Sequence, residues 1–297
     1  MSLFKPARLG TASLIALACL GGVDSVLAQS DSTTPSAGRA LPHYDLNGAG
    51  TRRFRLPSEL NEISGLAFTP DGRLLAHGDE RGVIWQIDPA TGVPATRFGF
   101  GSHGRILHGD FEDIQVVGKR VFLVTSAGQI FEAGEPADKV IVDAIPRSAG
   151  LAGACEVEGL AWDPASKSLL VLCKHAYTKR WRRTVIVLAV SIETWRFEPA
   201  PRMVISEEAL ERVTGEKQFH GSAIVRHPRT GTYLMLAGPQ HAYAEVSPKG
   251  AVLGGGPLPS ELHPQPEGIA VGPDLTLYIS DEGAGKHATL TAYAYRP

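Results

Sequence analysis

The stretch Glu156-Val-Glu-Gly-Leu-Ala-Trp162 is one of five copies of a single pattern in this chain of 297 residues. Each copy has an acidic or polar residue, a short apolar strand, a turn that often contains Pro, and a second, more hydrophobic strand. The other copies are Glu62-Ile-Ser-Gly-Leu-Ala-Phe68, Asp110-Phe-Glu-Asp-Ile-Gln-Val116, His220-Gly-Ser-Ala-Ile-Val225 and Gln265-Pro-Glu-Gly-Ile-Ala-Val271. A recurring unit of this kind indicates a repeat architecture.

The period of the repeat indicates a β-propeller. When Gly65, Asp113, Gly159, Ser222 and Gly268 are taken as equivalent, successive copies are 48, 46, 63 and 46 residues apart. Spacings of this size are typical of a four-stranded propeller blade. Five copies predict five blades. Six stay open as an alternative, because the interval of 63 residues could conceal a degenerate blade, although a helix at residues 206–213 also explains it.

The two ends of the repeat array complement each other. The last copy lacks an outer strand, and residues 52–56 form a strand pattern upstream of the first copy. An N-terminal outer strand that completes the last blade would cover a sheet edge that otherwise invites aggregation. The prediction is an all-β propeller, a single domain at residues 43–297, closed by this N-terminal strand.

The N-terminal residues and the charge balance limit location and partners. Lys5 and Arg8 precede an apolar run that ends before Val26-Leu27-Ala28, so residues 1–28 are interpreted as a secretory signal, with an uncleaved anchor as the alternative. Residues 29–42 are rich in Ser, Thr, Pro and Gly and are predicted to be a disordered leader. We expect a periplasmic or envelope-associated protein, with membrane association possible. A net charge of −2 argues against a nucleic-acid partner.

Two cysteines remain after the predicted cleavage, in a compartment where disulfides persist. Cys155 and Cys173 flank a predicted hairpin whose pairing brings them close together. A structural disulfide is therefore expected, and two buried thiols are the alternative.

Acidic and polar residues gather at one predicted mouth of the propeller channel. The inner strand of a blade starts, and the second strand ends, at the same rim. The predicted metal ligands at this rim are Glu62, Asp79, Glu112, Glu158, Glu267 and Asp281. The predicted ligand contacts are Glu156, Lys174, His175, His220, His241 and Glu282.

The carboxylates at this mouth favour a hard cation. Neighbouring carboxylates raise one another's pKa unless a positive charge compensates them. Ca²⁺ takes roughly six to eight oxygen ligands in tolerant geometry, whereas structural zinc prefers Cys and His. The sequence therefore predicts Ca²⁺ here. The alternative is a structural role, in which these acids cap strand ends, bond to the amides of neighbouring blades or pair with basic side chains.

A second charged feature is the run Lys179-Arg-Trp-Arg-Arg183, on a predicted loop between the second and third strands of the third blade. A solvated loop is one interpretation of this run. Contact with anionic lipid, lipopolysaccharide or a phosphorylated ligand is the other.

The motifs resemble, in their order along the chain, the SdiA-regulated (YjiK-type) bacterial envelope β-propellers. The resemblance covers residues 59–297 and is carried by Leu60-Asn-Glu-Ile-Ser-Gly-Leu-Ala67, Phe111-Glu-Asp-Ile114, Glu156-Val-Glu-Gly-Leu160, Ser222-Ala-Ile with His227-Pro228, and Pro266-Glu-Gly-Ile-Ala with Tyr278-Ile-Ser-Asp-Glu282. It implies a periplasmic or membrane-associated propeller linked with calcium binding or calcium response, distantly similar to calcium-dependent phytase propellers. His220-Gly221 departs from the family's more usual polar pair.

Two functional hypotheses from different classes result. The first is a non-enzymatic envelope propeller that binds Ca²⁺ and presents its acidic face to an envelope protein or a small ligand. The second is a metal-dependent hydrolase of phosphoesters or lactones, in which glutamates of the mouth hold the cation while Lys174 and His175 engage the substrate. A scaffold without metal is a third. No catalytic residue is assigned, because a propeller fold alone does not select a function.

Overall fold

The computed structural model describes residues 38–48, 51–136, 138–148, 151 and 153–297. The predicted signal at residues 1–28 and most of the predicted leader lie outside the described residues. Within the described part, no helix is both long and apolar enough to cross a membrane.

The chain begins its β-structure with a single strand and then forms the first two blades. The first strand is β1 (Arg52–Arg55). Blade 1 contains β2 (Ile63–Phe68), β3 (Leu74–Gly78), β4 (Val83–Ile87) and β5 (Pro94–Ser102), followed by the short β6 (Arg105–Ile106). Blade 2 contains β7 (Phe111–Val117), β8 (Arg120–Thr125), β9 (Gln129–Gly134) and, after β10 (Ile141–Asp143), the outer strand β11 (Ile145–Ser148). The strand β10 leaves blade 2 and pairs in parallel with β5.

The remaining three blades follow in chain order. Blade 3 contains β12 (Cys155–Asp163), β13 (Ser168–Ala176), β14 (Thr184–Ser191) and β15 (Met203–Ser206), followed by α1 (Glu207–Thr214). Blade 4 contains β16 (Ala223–Arg226), β17 (Tyr233–Ala237), β18 (Ala242–Val246) and β19 (Val252–Pro257). Blade 5 contains β20 (Pro266–Val271), β21 (Leu277–Asp281) and β22 (Thr289–Tyr293). Short 3₁₀ turns lie at Leu41–His43, Ser58–Leu60, Lys179–Trp181 and Gly238–Gln240.

The predicted closure of the ring is confirmed. The strand β1 pairs antiparallel with β22, with Arg53 opposite Thr291, and so becomes the outer strand of blade 5. Each inner strand contacts the inner strands of its two neighbouring blades, which makes a closed ring of five. Phe54 of β1 packs against a core cluster, so the closing strand is held by apolar contact as well as by hydrogen bonds.

Five blades, and not six, account for the described chain. The long interval after Gly159 contains the longer strands of blade 3 and the helix α1. Ser206 caps this helix by accepting a hydrogen bond from the amide of Ala209, and Gly215 ends it in the left-handed conformation. The interval therefore holds an insertion helix and no degenerate blade.

The core lies between neighbouring blades. All four residues from Val121 to Val124 in β8 are completely buried, because a blade is covered on both faces by its neighbours. A second strand of this kind appears in the sequence as a continuous apolar run without alternation. Polar side chains join the blades near the axis: the carboxylate of Asp113 accepts the amide of Leu160 at 2.6 Å, and Ser222 donates to the carbonyl of Pro266 at 2.9 Å.

The folded part begins earlier than predicted. The sequence places residues 29–42 in a disordered leader, but Ala40 is completely buried in the structure. The amides of Ala40 and Leu41 donate to the buried carboxylate of Glu245 at 2.6 and 3.0 Å. The prediction was wrong for residues 38–42, because composition cannot reveal a carboxylate that is distant in sequence and binds backbone amides.

Cys155 and Cys173 are bonded to each other, with their Cα atoms 5.7 Å apart. They lie at the mouth end of the hairpin between β12 and β13, where Val157 is opposite Cys173. The covalent bond therefore fixes the start of the inner strand to the end of the second strand in blade 3.

Candidate functional site

Four of the five inner strands contain a β-bulge close to their first residue. The register of the inner pair skips Ser64, Glu112, Glu158 and Glu267 in blades 1, 2, 3 and 5. A bulge leaves one extra residue unpaired and re-aims its side chain. The sequence placed these three glutamates in one register, and the structure adds that this register is a ring of bulged residues. We call Glu112, Glu158 and Glu267, together with Lys174, the glutamate mouth.

The carboxylates of the glutamate mouth repel one another in a partly dehydrated space. Burial, followed by the charges of Glu158 and Asp110, raises the pKa of Glu112 to about 9. Burial, followed by the charges of Glu158 and Glu282, raises the pKa of Glu267 to about 8. Both side chains are therefore protonated at neutral pH unless a further cation reaches the mouth.

Lys174 compensates part of this negative charge. Its Nζ atom lies 2.7 Å from a carboxylate oxygen of Glu158 and 3.7 Å from one of Glu156. Burial alone would lower the pKa of Lys174, but the hydrogen bond to Glu158 and the charges of both glutamates outweigh burial and raise that pKa. The pKa of Glu158 is still raised, because burial exceeds the opposing effect of Lys174.

Glu62, Asp79 and Glu282 form a second acidic group on blades 1 and 5. The charge of Asp79 is the main cause of the raised pKa of Glu62, whereas burial is the main cause at Asp79 and Glu282. Gln265 donates a hydrogen bond to Glu282. The Oδ1 atom of Asp79 is buried and has no hydrogen-bond partner among the described residues. Five of the six predicted metal ligands are thus divided between two groups.

Asp281, the sixth predicted ligand, uses both carboxylate oxygens in hydrogen bonds within the protein. It is almost completely buried, and its Oδ2 atom lies 2.8 Å from Nδ1 of His263. Its other oxygen accepts the amide of Gln265. The Nε2 atom of His263 in turn lies 2.5 Å from the hydroxyl of Tyr293, so Asp281 belongs to a buried structural network. No motif identified His263, because its partners Asp281 and Tyr293 lie 18 and 30 residues away in sequence.

The predicted histidines occupy two different environments. The rings of His175 and His220 lie 4.4 Å apart near Lys174. Burial, followed by the charges of His175 and Lys174, lowers the pKa of His220. Gln240 contacts both the amide and the ring of His220. The ring of His241 instead bonds to the backbone carbonyl of His263.

The carboxylate oxygens of the glutamate mouth are suitable ligands for a hard cation, but the side chains do not form a complete coordination sphere. Among the described residues, no group of three His, Cys, Asp or Glu side chains is placed to hold a metal ion. The ammonium group of Lys174 is bonded to Glu158, and the carboxylate of Asp281 is bonded to His263. A cation at this mouth would require at least Lys174 to move.

A pocket of about 270 Å³ lies beside the second acidic group. Its wall includes Glu62, Asp79, Trp85 and Arg97, and the guanidinium of Arg97 lies 4.8 Å from the centre of the Trp85 ring. No sequence motif identified Trp85 and Arg97. Their opposite positions on β4 and β5 are the signal that could have identified them.

The comparisons with known proteins concern the fold. No family model matches the chain, and the search of curated proteins also finds no match. A luciferin-regenerating enzyme is similar in structure, with 12% identity, a TM-score of 0.51, and coverage of 82% of this chain and 95% of that one. An aldose sugar dehydrogenase from Streptomyces coelicolor has 15% identity and a TM-score of 0.49, with coverage of 83% of this chain and 99% of that one. A gluconolactonase from Xanthomonas campestris has 12% identity and a TM-score of 0.46, with coverage of 78% of this chain and 72% of that one. At 12% identity the likeness to the luciferin-regenerating enzyme concerns the fold alone, and the ring of five blades shows that the chain is a β-propeller.

Proposed function

We propose that this propeller binds a divalent cation, Ca²⁺, at the glutamate mouth and acts as an exported binding protein rather than as an enzyme. The observation that carries the proposal is the ring of bulges, which brings Glu112, Glu158 and Glu267 together at one mouth. Bulges are frequent beside functional sites because they re-aim a side chain at the expense of regular pairing.

The charges of the mouth support a cation over a neutral ligand. Lys174 is the positive charge beside the buried Glu158 and the partly buried Glu112 and Glu267. Partial burial and mutual repulsion hold protons on Glu112 and Glu267 at neutral pH. A dication would replace those protons, and all the carboxylates would then be ionised. Carboxylate oxygens are the ligands that Ca²⁺ prefers.

Lys174 acts as a competitor in this proposal. Its ammonium group is bonded to Glu158, the most buried of the three glutamates, so a dication and Lys174 would compete for the same carboxylate. Removing the lysine charge with Lys174→Met is therefore expected to increase Ca²⁺ affinity. Removing a ligand charge with Glu158→Gln is expected to reduce it.

Calorimetric titration of the chelator-treated protein with Ca²⁺ tests the proposal, together with melting temperatures measured with and without the ion. Saturable binding to one site and a raised melting temperature are expected, since a ligand that binds only the folded state stabilises it. Glu193→Gln is the control: Glu193 is exposed, pairs with Lys167 and lies outside the mouth. Absence of binding, or equal effects of Glu158→Gln and Glu193→Gln, would contradict the proposal.

The proposal includes family and location. We assign the protein to the SdiA-regulated type and to the cell envelope, on the order of its motifs and on the signal pattern of residues 1–28. Mass spectrometry of protein recovered from the periplasm is expected to find Gln29 as the first residue. A mass that retains residues 1–28 would contradict cleavage and favour an anchored protein.

A metal-dependent hydrolase is the second candidate, and the His175–His220 pair beside Lys174 favours it. His220 has a lowered pKa and can accept a proton at neutral pH, while Lys174 can orient an anionic group. A bound cation would supply electrostatic polarisation of the substrate. The test is calcium-dependent turnover of p-nitrophenyl phosphate or of a lactone. Turnover that is lost in His220→Gln but retained in His241→Gln would establish this candidate.

A further inference from the structure

The loop between β13 and β14 presents the basic run that the proposed cation site does not use. We define residues 177–183 as the basic loop. Lys179, Arg180, Arg182 and Arg183 are exposed on it, around one turn of 3₁₀ helix. The loop follows directly after Lys174 and His175, so it rises from the same end of the propeller as the glutamate mouth.

Three of these four cations have no carboxylate partner among the described residues. Arg183 lies 4.0 Å from Glu207 and 3.9 Å from Glu211, at the edge of ion-pair distance. No ion pair involves Lys179, Arg180 or Arg182 within the described part of the chain. Because the whole chain has a net charge of −2, this positive charge is a local property of the loop.

The backbone of the loop is anchored although its charges are exposed. Trp181 is partly buried and packs against the core cluster of blades 2 and 3. The hydroxyl of Thr184 donates to the carbonyl of Trp181 at 2.8 Å, and the amide of Tyr177 donates to the carbonyl of Ala154 at 3.1 Å. A fixed loop loses little conformational entropy when its charged side chains meet a partner.

We propose that the basic loop docks this propeller onto an anionic phospholipid bilayer. Its cations lie exposed around a turn, whereas small-molecule sites are concave and enclose their ligand. The phenol ring of Tyr177, 62% exposed, lies at the start of the loop. Tyr is enriched at the headgroup level of membranes, where one part of the ring is apolar and the other is wet. Charge complementarity and this aromatic side chain together favour a bilayer over a soluble polyanion.

Sedimentation of the mature protein, residues 29–297, with extruded vesicles tests the proposal. Vesicles of phosphatidylglycerol mixed with phosphatidylcholine are compared with vesicles of phosphatidylcholine alone, in a chelator, so that Ca²⁺ cannot bridge protein and lipid. Each basic side chain near an anionic surface contributes roughly a five-fold factor to partitioning. The triple variant Lys179→Gln, Arg180→Gln and Arg182→Gln is therefore expected to partition onto the anionic vesicles about 100-fold more weakly.

The matched control removes three exposed cations from blades 1, 2 and 4: Arg105→Gln, Lys119→Gln and Lys249→Gln. It makes the same change in net charge and is expected to bind vesicles within about two-fold of the original protein. Tyr177→Ser is expected to weaken vesicle binding and to leave binding to dextran sulfate unchanged.

Three results would overturn the proposal. They are equal binding to both kinds of vesicle, equal losses in the two triple variants, and binding to dextran sulfate without binding to phosphatidylglycerol. The last result would reassign the loop to a soluble polyanion. Since the chelator is present throughout, none of these outcomes depends on the proposed cation site.

Discussion

Gly65, in the first copy of the repeat, is expected to tolerate no side chain. A Cβ atom at this position would lie 2.6 Å from Nε2 of His77 and 2.6 Å from Oδ1 of Asp113. Both neighbours are buried, and Asp113 is held by the amides of Leu160 and Ile114. Neither can move away without breaking contacts of its own, so Gly65→Ala is expected to destabilise the fold.

The magnitude follows from two opposing effects. Overpacking a buried site costs up to about 3 kcal/mol, and two contacts this short place Gly65→Ala at the upper end. The lower conformational entropy of Ala in the unfolded chain offsets about 0.7 kcal/mol. The net loss is about 2 kcal/mol, which corresponds to a fall in melting temperature of roughly 4 to 8 °C.

Urea denaturation measures this loss as a shift of the midpoint at an unchanged slope. Gly134→Ala is the matched control, because Gly134 also lies in a strand but its nearest neighbour is 3.9 Å from the added Cβ atom. We expect the control to be neutral or slightly stabilised. A change in the free energy of unfolding of less than about 0.5 kcal/mol in Gly65→Ala, the usual effect of a surface substitution, would contradict this prediction.

Three further predictions concern charge and covalent bonds. Because Glu112 and Glu267 have raised pKa values of about 9 and 8, the folded state holds protons that the unfolded state releases. The stability of chelator-treated protein should therefore fall as the pH rises from about 5 to 9, and saturating Ca²⁺ should reduce this slope in melting experiments. Glu245→Gln removes the charge that binds the amides of Ala40 and Leu41, so limited proteolysis should cleave this segment faster. Replacing Cys155 and Cys173 with Ser opens a loop of 18 residues and should cost about 3 kcal/mol in urea unfolding.

Each of these predictions has an outcome that would contradict it. A melting temperature that does not depend on pH would show that Glu112 and Glu267 are ionised without a cation. For Glu245→Gln, the control is the exposed Glu261→Gln, and equal cleavage rates would show that Glu245 does not hold the segment. Treatment of the original protein with reductant should reproduce the effect of the double serine variant, and an unchanged urea midpoint would contradict it.

The repeat pattern was sufficient to predict the blades because it is local in sequence. Apolar runs such as Val121 to Val124 and the turns between them are read directly from neighbouring residues. The closure by Arg52–Arg55 was predictable as well, since a blade without an outer strand and an unassigned strand pattern complement each other. A helix at residues 206–213 was predicted from the longer spacing between the third and fourth copies, and the structure has it at Glu207–Thr214.

The carboxylates show where prediction from sequence stops. Counting residues places Glu158 and Asp281 at the same rim, but one is bonded to Lys174 at the mouth and the other to His263 in the interior. A strand alternates its side chains between two faces, and a bulge of one residue reverses that alternation. Sequence spacing alone does not reveal the bulge.

The fold class, the five copies of the repeat, the closing strand and the types of residue at one mouth were predictable from the amino-acid sequence, whereas the structure was needed to exclude a sixth blade. The predictable features depend on periodicity and chain order. The tertiary structure was needed to show which carboxylates lie close together, that Lys174 is bonded to Glu158, and that Glu245 accepts hydrogen bonds from the amides of residues 40 and 41. These contacts join residues up to 205 positions apart, and their energies depend on burial and on neighbours that only the folded chain brings together.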